Sequence, residues 1–202
     1  MSLGTTVNYR KNGLLLAYIA NRMPDIHLRK LLKVVYLIDE AFVERRGFPL
    51  TWFDYYAWAK GPVAPEIYDV KTGAFAEFVT AAKGDDQRWH VNSKETHTYN
   101  VTRQMDDFSE AEMRLIDNIL DRLAEKSADD LTDQTHRPDS LWSKAVADNG
   151  LRFDNDSRES AAEIDLNALN DGNEHFKDVF AEAQWNMKFQ EMLDSRRQAR
   201  NV

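Results

Sequence analysis

The stretch from Asp25 to Gly47 constrains this chain more than any other. Leu28, Leu31, Leu32, Val35, Ile38 and Phe42 recur at the i, i+3, i+4, i+7 spacing of one helical face, and Val34, Leu37 and Ala41 widen the stripe. Asp25 reads as the N-cap and Gly47 as the C-cap. Only an arc near Arg29, Lys33 and Glu40 is polar, so this helix is expected at the centre of a domain. At about 100° per residue, Asp39 falls on the apolar face between Leu28, Leu32 and Val35. A carboxylate left unpaired there is costly or takes up a proton, so hydrogen-bond donors should lie opposite it.

The remaining segments supply elements to pack around this helix. Tyr9 to Met23 reads as a first helix stopped by Pro24, and the opening Met1-Ser2-Leu3-Gly4 as a remnant outside the fold. Phe53 to Lys60 alternates aromatic and small residues as a half-buried strand does, with Gly61-Pro62 as the closing turn and Pro65 opening a short helix through Val70. Arg88 to Val91 and His97 to Val101 read as two further strands. Ser109 with Glu112 forms a capping box for a helix running to about Lys126, and Ser127 opens another that carries Leu131, Thr135 and His136. Asp139 to Asp148 follows, with Trp142 inward. Ser160 with Glu163 repeats the capping box, and Phe176, Phe180, Ala183 and Met187 mark a last long helix. The fold class is therefore mainly α (α+β): seven or so helices around a central buried one, with a small antiparallel hairpin or meander. Residues 1–150 are expected to form the main domain and 151–202 a helical extension of the same compact unit, in which Phe176, Trp185 and Phe189 pack by default.

Composition removes several function classes. With no cysteine, thiolate chemistry, disulfides and cysteine metal sites are excluded. No stretch approaches the ~20 apolar residues of a membrane span, and the N-terminus lacks the pattern of a secretory signal, which points to the cytoplasm. A net charge of −8 disfavours direct DNA binding, and Arg196, Arg197 and Arg200 read as a solvated helix end. The five histidines show no metal-site spacing on a helix, and no phosphate-binding or nucleophile motif occurs. His90 and His97, if they meet across a hairpin, read as solvent-facing strand residues, so no metal or cofactor is expected. Asp39 with His136 is the best candidate for a catalytic pair. With no nucleophile visible beside them, the structural reading of the pair is preferred and the chain is not read as an enzyme.

Two segments taken together are distinctive: Lys30-Leu31-Leu32-Lys33-Val34-Val35-Tyr36-Leu37-Ile38-Asp39, followed by Gly47-Phe48-Pro49-Leu50-Thr51, and then Ala57-Trp58-Ala59-Lys60-Gly61-Pro62-Val63-Ala64-Pro65-Glu66-Ile67-Tyr68. With Phe108-Ser109, Leu131, Thr135-His136 and Trp142 later in the same order, the chain from about residue 10 to 148 resembles the Panacea domain, the SocA-like antitoxin family. Lys60 departs from the pattern, since an aromatic residue more often precedes the Gly-Pro-Val turn, and nothing after Gly150 matches. The resemblance implies an antitoxin whose partner is a cognate toxin encoded by a neighbouring gene. It also implies two other roles known in the family, an adaptor that delivers its toxin to a protease and a phage-associated structural or regulatory protein.

Within that resemblance Tyr36, Asp39, Trp58, Gly61, Pro62, Val63, His136 and Trp142 are expected to form a framework locking the central helix to the aromatic strand and later helices. If a toxin touches the shared core, the Gly61 to Glu66 turn is expected to be the exposed part, with Gly61, Pro62 and Glu66 as contacts. A domain shared by antitoxins of different toxins must place specificity in variable surfaces.

Overall fold

The computed structural model describes residues 2–94, 107–154 and 157–200. The predicted central helix is α3, Leu28–Arg46, after α1 (Leu3–Thr6) and α2 (Tyr9–Arg22). Its Leu31, Val34, Val35, Tyr36, Ile38, Phe42 and Val43 have no exposed surface. Gly47 ends it at φ 82°, a left-handed position that favours glycine, with its N–H on the Val43 carbonyl. The start differs from expectation. Asp25 sits at φ 59° and does not cap; Ile26–His27 forms a short strand, β1, and His27 is the N-cap without a side-chain bond. The Asp25 carboxylate instead meets His90 and Asn92.

The polar arc expected at Lys33 is also corrected. Lys33 is fully buried, because elements close over α3 on that side as well. There β3 (Gly61–Val63), paired with β2 (Tyr56–Trp58), and α6 (Ala128–Thr135) bring Gly61, Pro62 and Thr135 to Lys33, while α4 (Pro65–Tyr68), α5 (Glu110–Leu123) and α7 (Leu141–Asp148) complete this part of the chain. The capping boxes at Ser109 with Glu112 and at Ser127 with Asp130 are both closed, and Ser140 caps α7.

Among the described residues two small antiparallel sheets flank the helices. In the first, β5 (Trp89–Ser93) lies between β1 and β4 (Val79–Lys83), with Val91 opposite both Ile26 and Ala81. The hairpin partner of β5 is therefore Val79–Lys83, whose Ala81, Ala82 and Lys83 carry little strand signal. The strand expected over 97–101, with His97, lies outside the described residues.

In the second sheet, β2 pairs with β3, Ala57 opposite Pro62, so the turn is Ala59-Lys60 and Gly61-Pro62-Val63 is itself a strand. Pro62 is accommodated because β3 is the edge. The other edge of β2 receives a later segment: the Ala57 and Ala59 N–H groups donate to the carbonyls of Ala162 and Arg158, and the Ile164 N–H to that of Tyr55. Ser160 and Glu163 thus form no capping box; this stretch is extended, and the Ser160 hydroxyl bonds the Ala57 carbonyl at 2.6 Å.

Both chain ends pack on this body. The Gly4 N–H donates to Trp52 O, and the buried Asn12 amide bridges the carbonyls of Gly4 and Thr51 at 2.8 Å each, so the opening residues belong to the fold. The last helix, α8 (Glu174–Arg200), follows a 3₁₀ turn at Leu166–Asn170, where the buried Asn170 amide donates to Gly47 O at 2.9 Å. Phe180 packs against Trp52 with ring centroids 5.4 Å apart. Among the described residues seven other α-helices are thus arranged with α3, eight in all, with the small sheets at the periphery.

Candidate functional site

Asp39 has the donors its position demands. Its Oδ1 accepts the N–H groups of Leu50 and Thr51 at 2.9 Å each, and its Oδ2 accepts the Thr51 hydroxyl and, at 2.7 Å, that of Tyr55. Burial raises its pKa to about 6, against the pull of those bonds. The Tyr55 ring meets Tyr36 edge-on at 5.1 Å, and the Tyr36 hydroxyl donates to Glu40, whose own pKa burial lifts to about 7. This network ties the 50–55 segment to α3.

A second network forms on the Lys33 side of the same helix. Lys33 Nζ donates to Pro62 O at 2.9 Å, and no carboxylate pairs with it among the described residues. Burial, with Arg29 one turn away, lowers its pKa to about 7. Gly61, at φ 103°, lies so close that a Cβ there would stand 2.7 Å from Nζ and 3.0 Å from Thr135 Oγ1. Next to Thr135, the His136 ring stacks on Trp142 at 3.6 Å. The Trp142 indole donates to Trp58 O at 2.9 Å, and the Trp58 indole to Ser160 O at 3.2 Å. Burial and the Lys33 charge hold the His136 pKa below its ordinary value.

The eight framework residues therefore fall into two groups around one helix, on which Lys33 and Asp39 stand about 120° apart. Tyr36 joins Asp39. Gly61 and Pro62 meet Lys33, Trp58 joins Trp142 and through it His136 alongside, and Val63 pairs with Tyr56 at the open end of the β2–β3 hairpin. Asp39 and His136 share no hydrogen bond: Asp39 is fully buried and its partners are Thr51, Tyr55 and backbone. The expected exposed turn is likewise corrected. Gly61, Pro62, Val63 and Ala64 are buried under α3 and α6, and only Pro65 and Glu66 are half-exposed.

Lys33, Thr51, Tyr55 and Ser160 were not among the expected site residues. Asp39 foretold the donors without identifying them. Lys33 was readable only from a helix too apolar all round to leave room for a solvated lysine.

A third cluster lies at the first sheet. His90 bonds Asp25 at 2.8 Å through Nδ1 and Asp86 at 3.0 Å through Nε2, and its ring meets His27 edge-on at 4.3 Å. Ligand atoms of His27, Asp86 and His90 lie within 4.8 Å of one another, the spacing a metal ion could use, but both His90 nitrogens are already engaged by carboxylates.

The helix α8 divides the residues expected to pack. Phe176 lies against Gly47, whereas Trp185 is 62%, Phe189 42% and Met192 39% exposed. These three follow an i, i+4, i+7 spacing, and the first two stack at 5.3 Å. No helix among the described residues is long and apolar enough to cross a membrane.

Against known proteins, a family model described as antitoxin SocA-like, Panacea domain, matches residues 31–143, more than half of the chain. No curated protein and no solved structure matches it.

Proposed function

This chain belongs to the SocA-like antitoxin family, whose Panacea domain spans residues 31–143, and from that premise we propose that it neutralises a co-encoded toxin in the cytoplasm by binding it directly. The observation that carries this reading is the apolar face of Trp185, Phe189 and Met192 on α8. Large apolar side chains grouped on one exposed helical face mark a partner surface. They lie beyond the shared domain, where a family of antitoxins with different toxins must vary. In this reading residues 1–150 form the common scaffold, held by the Asp39 and Lys33 networks, and residues 151–202 supply specificity. The net charge of −8 suits a basic, nucleic-acid-directed toxin over an interface of roughly 1,600 Å².

The test expresses the neighbouring open reading frame alone and together with this protein, follows growth, and then co-purifies the pair. Growth arrest relieved by co-expression, with a stable complex, supports direct neutralisation. Relief with loss of the toxin and no stable complex, only in cells that have a particular protease, points to delivery of the toxin for degradation. A neighbour harmless by itself sinks the antitoxin reading and leaves the phage-associated role.

A further inference from the structure

A cleft of about 470 Å³ opens between the start of α3, the β2–β3 hairpin and the loop leading into β5. Its size lies within the ~300–1,000 Å³ of small-molecule sites. Five cationic side chains line it, Arg29, Lys33, Lys60, Arg88 and Arg158, against one acid, Glu159. That concentration runs against a chain of net charge −8 and focuses a positive field in one place. Lys60 and Arg158 enter no ion pair among the described residues, and the buried Lys33 ammonium places one of its three N–H groups, on Pro62 O. The buried Nδ1 of His27, at the mouth of α3, has no partner either.

The other walls are aromatic. Trp58, Tyr68 and Trp89 line the same cleft and are all half-exposed, so ring surface remains beyond the edge-on Trp58–Tyr68 contact at 5.1 Å and the Lys71 ammonium over Tyr68. Arg29 and Arg88 already meet Asp129 at 2.7 Å and Asp86 at 3.9 Å; an inorganic anion would leave the rings unused, and an apolar molecule would leave Lys60 and Arg158 without counter-charge. A planar ring carrying phosphate satisfies both, because bases stack on aromatic side chains while Lys and Arg hold phosphate oxygens.

We propose that this cleft binds a nucleotide, its base against the Trp58, Tyr68 and Trp89 walls and its phosphates among Lys60, Arg88 and Arg158. The site does not depend on the antitoxin reading, since a toxin partner is not needed to form it.

The test titrates the full-length protein, by calorimetry and tryptophan fluorescence, with ATP, GTP, adenosine, inorganic triphosphate and a hepta-glutamate peptide. ATP or GTP is expected to bind at least about tenfold more tightly than adenosine or triphosphate, and more weakly as salt is raised. The double substitution Lys60→Glu, Arg158→Glu, at exposed positions, should weaken nucleotide binding at least about tenfold with the thermal midpoint unchanged. No binding of ATP or GTP up to about 5 mM overturns the proposal. So does binding unaffected by the charge reversals, or a hepta-glutamate peptide that binds as tightly as ATP, which would make the cleft a docking site for acidic protein segments.

Discussion

Asp39 accepts the hydroxyl of Tyr55 at 2.7 Å in a part of the core closed to solvent, and every other donor to that carboxylate also comes from the 50–55 segment. One side chain of the central helix thus organises a segment that has no helix or strand of its own until Tyr56. Replacing it separates charge from hydrogen bonding. Asp39→Asn keeps an acceptor for the two backbone N–H groups, and the Thr51 and Tyr55 hydroxyls can turn to accept from the new amide. Asp39→Ala strands all four donors and should cost about 3–5 kcal/mol, clearly more than Asn, in urea unfolding at pH 7. Equal losses for the two variants would show that the hydrogen bonds do not organise this segment.

Lys33 predicts a pH dependence of opposite origin. Its pKa falls from 10.5 to about 7 on folding, so between those values the unfolded chain holds more protons than the folded one. Stability from this group therefore rises as pH climbs from about 7 towards 10, and the burial penalty is complete below 7. Lys33→Met should raise stability relative to the parent at pH 6 by about 1–3 kcal/mol, the gain shrinking by pH 9. Unfolding curves at the two pH values check this, and a gain that does not change with pH refutes it.

Gly61→Ala combines a positive φ with a Cβ that would stand 2.7 Å from Lys33 Nζ. The loss should exceed ~1 kcal/mol. In a double-mutant cycle, Lys33→Ala should recover the part due to the clash and leave the backbone part. Strictly additive losses would place the whole effect in the backbone.

Trp185→Glu with Phe189→Glu should leave the unfolding midpoint within about 0.5 kcal/mol of the parent, because both side chains are exposed, yet abolish toxin protection and co-purification. Retained protection would move the partner surface elsewhere.

His90 sits between Asp25 and Asp86, whose hydrogen bonds raise its pKa. A raised histidine contributes stability below its unfolded pKa of about 6.5 and loses it as pH rises through the folded value. The link between the Asp25 turn and β5 should accordingly loosen as pH rises above about 6.5. Hydrogen exchange of β5 amides across that range should show a step that His90→Gln removes; a step unchanged in the variant assigns the titration to another group.

Periodicity and local turn chemistry already contained much of this protein. The stripe from Leu28 to Phe42 determined that α3 would be central, Gly47 where it would stop, and the Ser109 box and Ser127 where α5 and α6 would begin, because each signal lies within a few residues of what it specifies. The position of Asp39 on the apolar face implied a ring of donors. Which donors answered it was decided by tertiary structure, since Thr51 and Tyr55 reach Asp39 through a segment with no periodic signal. The same holds for Lys33. Its local pattern reads as a solvated arc, and only the arrival of Gly61, Pro62 and Thr135 from distant parts of the chain buries it. Ser160 and Glu163 show the reverse case, a sound local cap overridden because the unpaired edge of β2 offered that stretch three backbone hydrogen bonds. Short-range rules set the elements, and the burial and pairing of polar groups across long sequence separations set the sites.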